Sequence, residues 1–306
     1  MKNSITIVMA MILLSYGTSI QADEGEGGSG GAYLRLSPDP RSSAMGGAFT
    51  AVAEGATASL WNPAALGYIK GYEIGTSISH LSMGRNLGYI IGNAKLPGNA
   101  GLGGGWLRAW VNDLPLYDSG GSQVGTYNFS QNAFFVSFGR RIIKPISVGI
   151  TVKFFYHFLD NVGASGTSVD AGILVKPSNS LSLGLVFQDI KGNESWDSAN
   201  IYSSGKKEEI PLTIRGGAGY AFMKRRLLLV GELSGQMHHK PGYHVGMECW
   251  VSEDIALRAG YDNGSLTAGG GLLYPLGKTT LSVDYAYTQD PMEVSAAHRF
   301  SFGFSF

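Results

Sequence analysis

The feature that most constrains this chain is a strict two-residue alternation sustained over runs too long for an ordinary strand. At Ile146, Val148, Ile150, Val152, Phe154, Tyr156 and Phe158 every second residue is apolar, and Ser147, Gly149, Thr151, Lys153, Phe155 and His157 lie between them. Leu281, Val283, Tyr285 and Tyr287 alternate in the same way with Ser282, Asp284, Ala286 and Thr288. So do Ile255, Leu257, Ala259 and Tyr261 with Arg258, Gly260 and Asp262. Period two means strands with two different faces. A soluble sandwich also alternates, but its strands average about 5–6 residues. Several runs here approach the 9–11 residues with which a tilted strand crosses a membrane.

About fourteen such runs begin near residues 72, 85, 101, 127, 146, 167, 181, 212, 227, 243, 255, 265, 279 and 297, an even number as a single-chain bacterial barrel requires. The connections give an independent check. Those after even runs are terse: Pro97-Gly98-Asn99, Ile143-Lys144-Pro145, Pro177-Ser178-Asn179, Lys224-Arg225, Ser252-Glu253-Asp254 and Leu276-Gly277-Lys278. The long ones, 113–125, 160–166 and 191–209, all follow odd runs, as outer loops do. Asp262-Asn263-Gly264 is a tight hairpin of the Asn-Gly kind. The fold class expected is all-β: a transmembrane antiparallel barrel over residues 71–306.

Composition agrees. Charged residues are 15% and balanced, 23 basic against 23 acidic, so a nucleic-acid footprint is lacking. The single Cys249 excludes an internal disulfide framework and a multi-cysteine metal site. Residues 1–22 read as a signal peptide, with Lys2, an apolar run at 5–14 and small residues up to Ala22. Residues 23–40, beginning DEGEGGSGG, read as a flexible linker. The alternation at Phe300, Phe302, Phe304 and Phe306 resembles the terminal signal read by the outer-membrane assembly machinery. Trp106, Trp110, Tyr127, Tyr243, Tyr261 and Tyr274 fall near strand ends, as aromatic girdles do.

Residues 41–66, RSSAMGGAFTAVAEGATASLWNPAAL, are small and compact, suited to the inside of a barrel. Met45-Gly46-Gly47-Ala48-Phe49 is a bend, since paired glycines permit unusual dihedrals. Asn62-Pro63 is a helix cap followed by proline at the first position, with Ala64-Ala65-Leu66 as one turn stopped by Gly67. This segment resembles the N-terminal hatch of the FadL-like superfamily of outer-membrane proteins, most closely its PorV/PorQ branch. The likeness continues through Asp170-Ala171-Gly172, Leu257-Arg258-Ala259-Gly260-Tyr261 and His298-Arg299-Phe300-Ser301, although Glu54-Gly55 stands where the branch more often has consecutive acids. The resemblance implies a hatch at 41–70 that gates the lumen, with Met45, Gly46, Gly47, Phe49, Trp61, Asn62, Pro63 and Ala64 as its residues. It implies passive uptake or handling of a small hydrophobic molecule. The alternative it implies is a type IX secretion-like barrel that binds exported proteins, with Trp196 and Tyr202 on the loops as anchors.

Lys153, Arg215, Glu232, Glu248, Arg258, Asp284 and Arg299 are expected to face the lumen as a charge network docking the hatch, since buried charges need partners. Arg215, Glu232, Glu248 and Arg258 are expected to form one mixed-sign ladder. His238-His239 and His244 do not suggest a metal site, because adjacent strand residues point to opposite faces. His157 and His298 lack any nucleophile elbow, so no enzyme is expected. The triplets Gly103-Gly104-Gly105 and Gly269-Gly270-Gly271 lie within strands and would bend the sheet or make room for the hatch. No cofactor is expected. The partners expected are membrane lipid, the assembly machinery, and hydrophobic molecules or exported proteins.

Overall fold

The computed structural model describes residues 30–160, 162–197, 206–236, 240–289 and 296–306. The signal peptide, the first part of the linker, Tyr202 and His238-His239 lie outside them. The strands are β1 (Tyr72–His80), β2 (Asn86–Leu96), β3 (Ala100–Tyr117), β4 (Gln123–Ile143), β5 (Ile146–Leu159), β6 (Val162–Val175), β7 (Leu181–Asp197), β8 (Lys206–Glu209), β9 (Thr213–Phe222), β10 (Leu227–Gln236), β11 (Gly242–Trp250), β12 (Ile255–Asp262), β13 (Ser265–Leu276), β14 (Thr279–Gln289) and β15 (Ala296–Ser305).

Neighbours pair antiparallel all the way round, and β1 against β15 together with β6 against β7 close the ring. The wall is a fourteen-stranded barrel, with β8 as one extra short strand. Ile210-Pro211-Leu212 separates β8 from β9, and both pair with β7. Proline has no amide hydrogen for the ladder, so one long strand is read as two.

Alternation places the apolar set outside. Val136, Ile150, Phe158, Val245 and Phe302 are about half exposed while the residues between them are buried. A soluble fold would not leave such a belt in water; a bilayer solvates it, and the chain is an outer-membrane barrel. No helix among the described residues is long and apolar enough to cross a membrane. Phe300, Phe302, Phe304 and Phe306 all project into the outer belt. Tyr243, Tyr261 and Tyr274 do the same.

Three expectations are corrected. Most of 113–125 is strand, because β3 and β4 continue past the membrane as a tall hairpin with only 118–122 between them. Likewise β6 starts at Val162, β7 runs to Asp197 and β8 covers Lys206–Glu209, so the described parts of 160–166 and 191–209 are largely ladder. Polar and glycine-containing strand ends had the composition of loops, yet each finds a neighbouring strand to bond. Finally, the linker does not extend to residue 40. Ala32–Arg35 forms a 3-10 turn with Tyr33 buried, and Asp39 caps the short helix Pro40–Ala44.

Candidate functional site

The lumen is filled from within by residues 30–71. The lower body of this hatch begins at Asp39, whose carboxylate accepts the Ser42 amide at 3.0 Å. Burial, then the neighbouring Asp284 charge, pushes that carboxyl above its ordinary range, and the Ser42 bonds only partly offset this. Helix Pro40–Ala44 then ends in the bend at Gly46 and Gly47, both with positive φ (66° and 76°). At Gly46 a side chain is excluded twice over. The left-handed backbone disfavours it, and a Cβ there would sit 2.5 Å from the Tyr261 carbonyl oxygen.

The bend is held by a fork of charge. Glu232 accepts the amides of Phe49 (3.0 Å) and Thr50 (2.8 Å) on one oxygen and Arg215 Nε at 2.6 Å on the other. Arg215 also donates to the Gly47 carbonyl at 2.8 Å and lies 5.0 Å from the centre of the Trp61 ring. Trp61 in turn meets Phe49 edge-on, with ring centres 5.9 Å apart. His244 Nδ1 is 2.9 Å from the Gly46 carbonyl and 3.0 Å from Asp262, and its Nε2 is 2.9 Å from the Ser234 hydroxyl. With both nitrogens taken, His244 is a hatch clamp.

Asn62 is buried and accepts the Ala64 amide at 3.0 Å, as its N-cap position predicts. Its amide nitrogen donates to the carbonyls of Thr50 (3.0 Å) and Ile173 (3.2 Å), tying hatch to wall. The 3-10 turn that follows Pro63 runs through Gly67 to Tyr68, so the expected stop at Gly67 is corrected. The Tyr68 hydroxyl donates to the Pro145 carbonyl and takes the chain to the edge of β5. The glycine triplets are receptive surfaces: Gly103 lies against Ser59, and Gly269 against Ala44.

The single mixed-sign ladder is also corrected. Register sets Glu232 opposite His244 and Glu248 opposite Leu228, so the two carboxylates sit four residues apart along β10 and belong to different clusters. Glu248 is gripped by Arg258 at 2.7 Å and by Arg41 of the hatch at 2.7 and 2.8 Å, and Arg258 reaches Asp284 at 2.6 Å. Arg41 extends the chain to Glu54 at 2.8 Å, and Arg225 approaches Glu54 from the wall at 3.5 Å. Burial would raise the Glu54 carboxyl, but the charge and hydrogen bond of Arg41, aided by Arg225, hold it below its usual range. A third cluster centres on Lys153, 2.9 Å from both Asp170 and Asp189. Arg299 donates to the Ser37 carbonyl at 2.9 Å and to Thr288.

Sequence reasoning missed Arg41, Asp170 and Asp189 as partners. Asp170 was within reach, since it shares the inward parity of Ser168 on β6. Asp189 was not, because β7 carries two register shifts and positive φ at Asp189 and Lys191, which reset its parity.

Around the arm at 30–38 the lumen holds an apolar cluster. Leu87, Ile91, Leu107, Phe135, Phe155 and Ile210 form its lining, and Tyr33, Leu34 and Leu36 of the arm at 30–38 fill it. Tyr33 is 3% exposed and edge-on to His157, which sits 2.8 Å from Glu194. Trp196 lies against the same histidine, ring centres 6.3 Å apart, on β7 rather than in a loop. The cavity left between arm, Leu60, Trp61 and Phe135 is about 30 Å³, room for water and no larger guest. On the periplasmic side a vestibule of about 380 Å³ opens beside Arg41, Glu54, Arg225 and Trp250. The lumen is thus closed in the middle, with an apolar cluster around the arm and charged clusters around the bend and base of the hatch.

No protein-family model and no curated protein matches the chain. Solved structures do match in fold. The CymD monoaromatic hydrocarbon channel has a TM-score of 0.63 at 13% identity, over 87% of this chain and 97% of that one. The Pseudomonas putida toluene transporter TodX has a TM-score of 0.60 at 13% identity, over 86% and 96%. A Pseudomonas aeruginosa FadL homologue has a TM-score of 0.57 at 9% identity, over 84% and 95%.

Proposed function

We propose that this barrel is a passive outer-membrane channel of the FadL-like type for a small hydrophobic molecule. One observation carries the reading: an apolar cluster on the lumen wall is stoppered by the chain's own arm, whose Tyr33, Leu34 and Leu36 stand where an apolar guest would sit. The arm's 3-10 turn closes on its own backbone, Leu34 to Gly31 and Leu36 to Tyr33, and packs Tyr33, Leu34 and Leu36 into the apolar cluster, whereas the rest of the hatch is bolted by Glu232, Glu248 and Asn62. A guest that takes the place of Tyr33, Leu34 and Leu36 meets the same apolar lining that they do. The fold shared with hydrocarbon channels supports the same reading. Within that superfamily, the glycine pair and the Asn62-Pro63-Ala64 box favour the PorV/PorQ branch.

The test is uptake of radiolabelled toluene by cells whose only added outer-membrane channel is this protein. Uptake above the empty-vector rate, changed by Asn62→Ala while the barrel's heat stability hardly moves, is the expected result. Uptake equal to the vector control refutes it.

The branch likeness also supports a second reading, a surface platform for exported proteins. The tall β3–β4 hairpin, with Leu116, Tyr117 and Val124 exposed at its tip, is the observation that favours it. Stoichiometric copurification of an exported protein, lost on trimming 114–126, is its test.

A further inference from the structure

The outward faces of β14, β15, β1, β2 and the first part of β3 form one continuous stretch of wall. From β14 round to Trp110, Arg108 is the only Asp, Glu, Lys or Arg on these outward positions. Its strand neighbours Leu107 and Ala109 pack into the lumenal cluster, which fixes Arg108 on the outside. A guanidinium on the lipid face costs about 2–4 kcal/mol at mid-membrane and about 0–1 near an interface. Register puts Arg108 near the outer interface. It pairs with Gly88, close to Ser82–Gly84, which joins β1 to β2 at their outer ends.

There the guanidinium is clasped between indoles, 5.9 Å from the Trp106 ring centre and 5.3 Å from that of Trp110. Trp106 is itself pinned by its N–H bond to Asn132 at 3.1 Å. Arg108 Nε is shielded from solvent without a hydrogen-bond partner, and no carboxylate pairs with Arg108 among the described residues. Gly88, directly opposite, puts no side chain over it. Just outward, register sets Trp110, Asn86, His80, His298 and Tyr287 in one row across five strands. On the inner side of that row, Ile78, Ile90, Leu102 and Phe300 continue the same faces as bare hydrocarbon.

A forked cation with an unfilled donor, aromatic walls and a row of polar groups at headgroup depth has the chemistry of a phosphate site. The apolar surface leading away from it suits acyl chains, which a soluble anion lacks. We propose that this face binds an anionic lipid of the outer leaflet through its phosphate, with Arg108 as the charged contact and Asn86, His80 and His298 beside it.

Native mass spectrometry of the full chain in detergent micelles, titrated separately with diphosphorylated lipid A, its dephosphorylated form and inorganic phosphate, tests this. The phosphorylated lipid is expected to be retained about tenfold better than the dephosphorylated one, as loss of one charge-assisted bond dictates. Arg108→Gln lowers its retention to the dephosphorylated level, and Arg108→Lys restores part of it. Equal retention of both lipids by the unaltered chain, or undiminished retention by Arg108→Gln, overturns the proposal. Inorganic phosphate retained as well as the lipid overturns the lipid assignment. The comparison of lipids on the unaltered chain decides the matter even if Arg108→Gln does not fold.

Discussion

Tyr33 is the residue at which the gating argument is most exposed to refutation, because its ring and its hydroxyl pull in opposite directions. The ring is buried against His157 and the apolar lining, so Tyr33→Ala removes the arm's largest contact. Full truncation of a buried aromatic costs about 3–5 kcal/mol in a sealed core. A lumen that rehydrates when the arm is displaced loses less than that, and about 2–3 kcal/mol shifts the closed-to-open ratio about 30- to 150-fold. The hydroxyl finds no hydrogen-bond partner among the described residues. Burial, then the charges of Glu194 and Asp189, pushes its pKa well above the ordinary phenol value, so it stays a neutral, unsatisfied donor. Removing such a group is neutral or stabilising, so Tyr33→Phe tightens the stopper by up to about 1 kcal/mol, or about fivefold in open population. Initial rates of radiolabelled toluene uptake by cells expressing each variant at matched barrel levels give the readout. Tyr33→Ala should raise the rate and Tyr33→Phe should lower it. If both move the same way, or Tyr33→Ala stays within about twofold of the parent, the arm is not the gate.

Three further outcomes concern the lower hatch. Glu232→Gln strands buried Arg215 and weakens two amide bonds; breaking such a pair costs about 3–5 kcal/mol. Limited proteolysis should then cut near residues 47–50 while the barrel keeps its heat-modified gel mobility, and an uncut hatch would refute the role. Gly46→Ala forces a left-handed alanine against the Tyr261 carbonyl, so the same protease assay should show an unseated hatch, whereas Gly55→Ala, with a similar φ of 73° but open space, should show much less. Glu54 has a carboxyl held below its unfolded value of about 4.3, so its contribution is full above that value and is lost as pH falls through the lowered folded one. Hydrogen exchange around residues 53–57 should stay slow down to the ordinary Glu range and quicken only in stronger acid, and Glu54→Gln should erase that pH dependence.

Much of the barrel was legible because a membrane makes both faces of a strand speak. The outward apolar set and the inward small or polar set each identify a run, and most runs began within a residue of the observed strands. What stayed hidden depended on neighbours rather than on the run itself. The outer ends of β3, β4, β6 and β7 lose the strict alternation of apolar and small or polar residues and read as loops, since ladder bonds leave no mark in composition. The Arg215–Glu232 and Glu248–Arg258 pairs were legible as inward charges, but their division into separate clusters is a matter of register. Asp189 was lost to a bulge, and Arg108 to an outward parity that conflicts with its charge. In the hatch, Gly46-Gly47 and Asn62-Pro63 were legible because turn and cap chemistry is local. The arm was not, because glycine-rich composition upstream masked a tyrosine whose partners lie on β5 and β7.

The hatch also acts as a former for the wall. Helix Pro40–Ala44 rests on β12–β15, and the turn Pro63–Tyr68 rests on β3–β6, so the plug touches both arcs that meet where β1 joins β15. At that join Tyr72 and Phe306 exchange backbone bonds in both directions, directly after the plug's own last residues. The girth of the barrel is thus matched from inside by what the wall encloses, and plug and seam are consecutive in the chain.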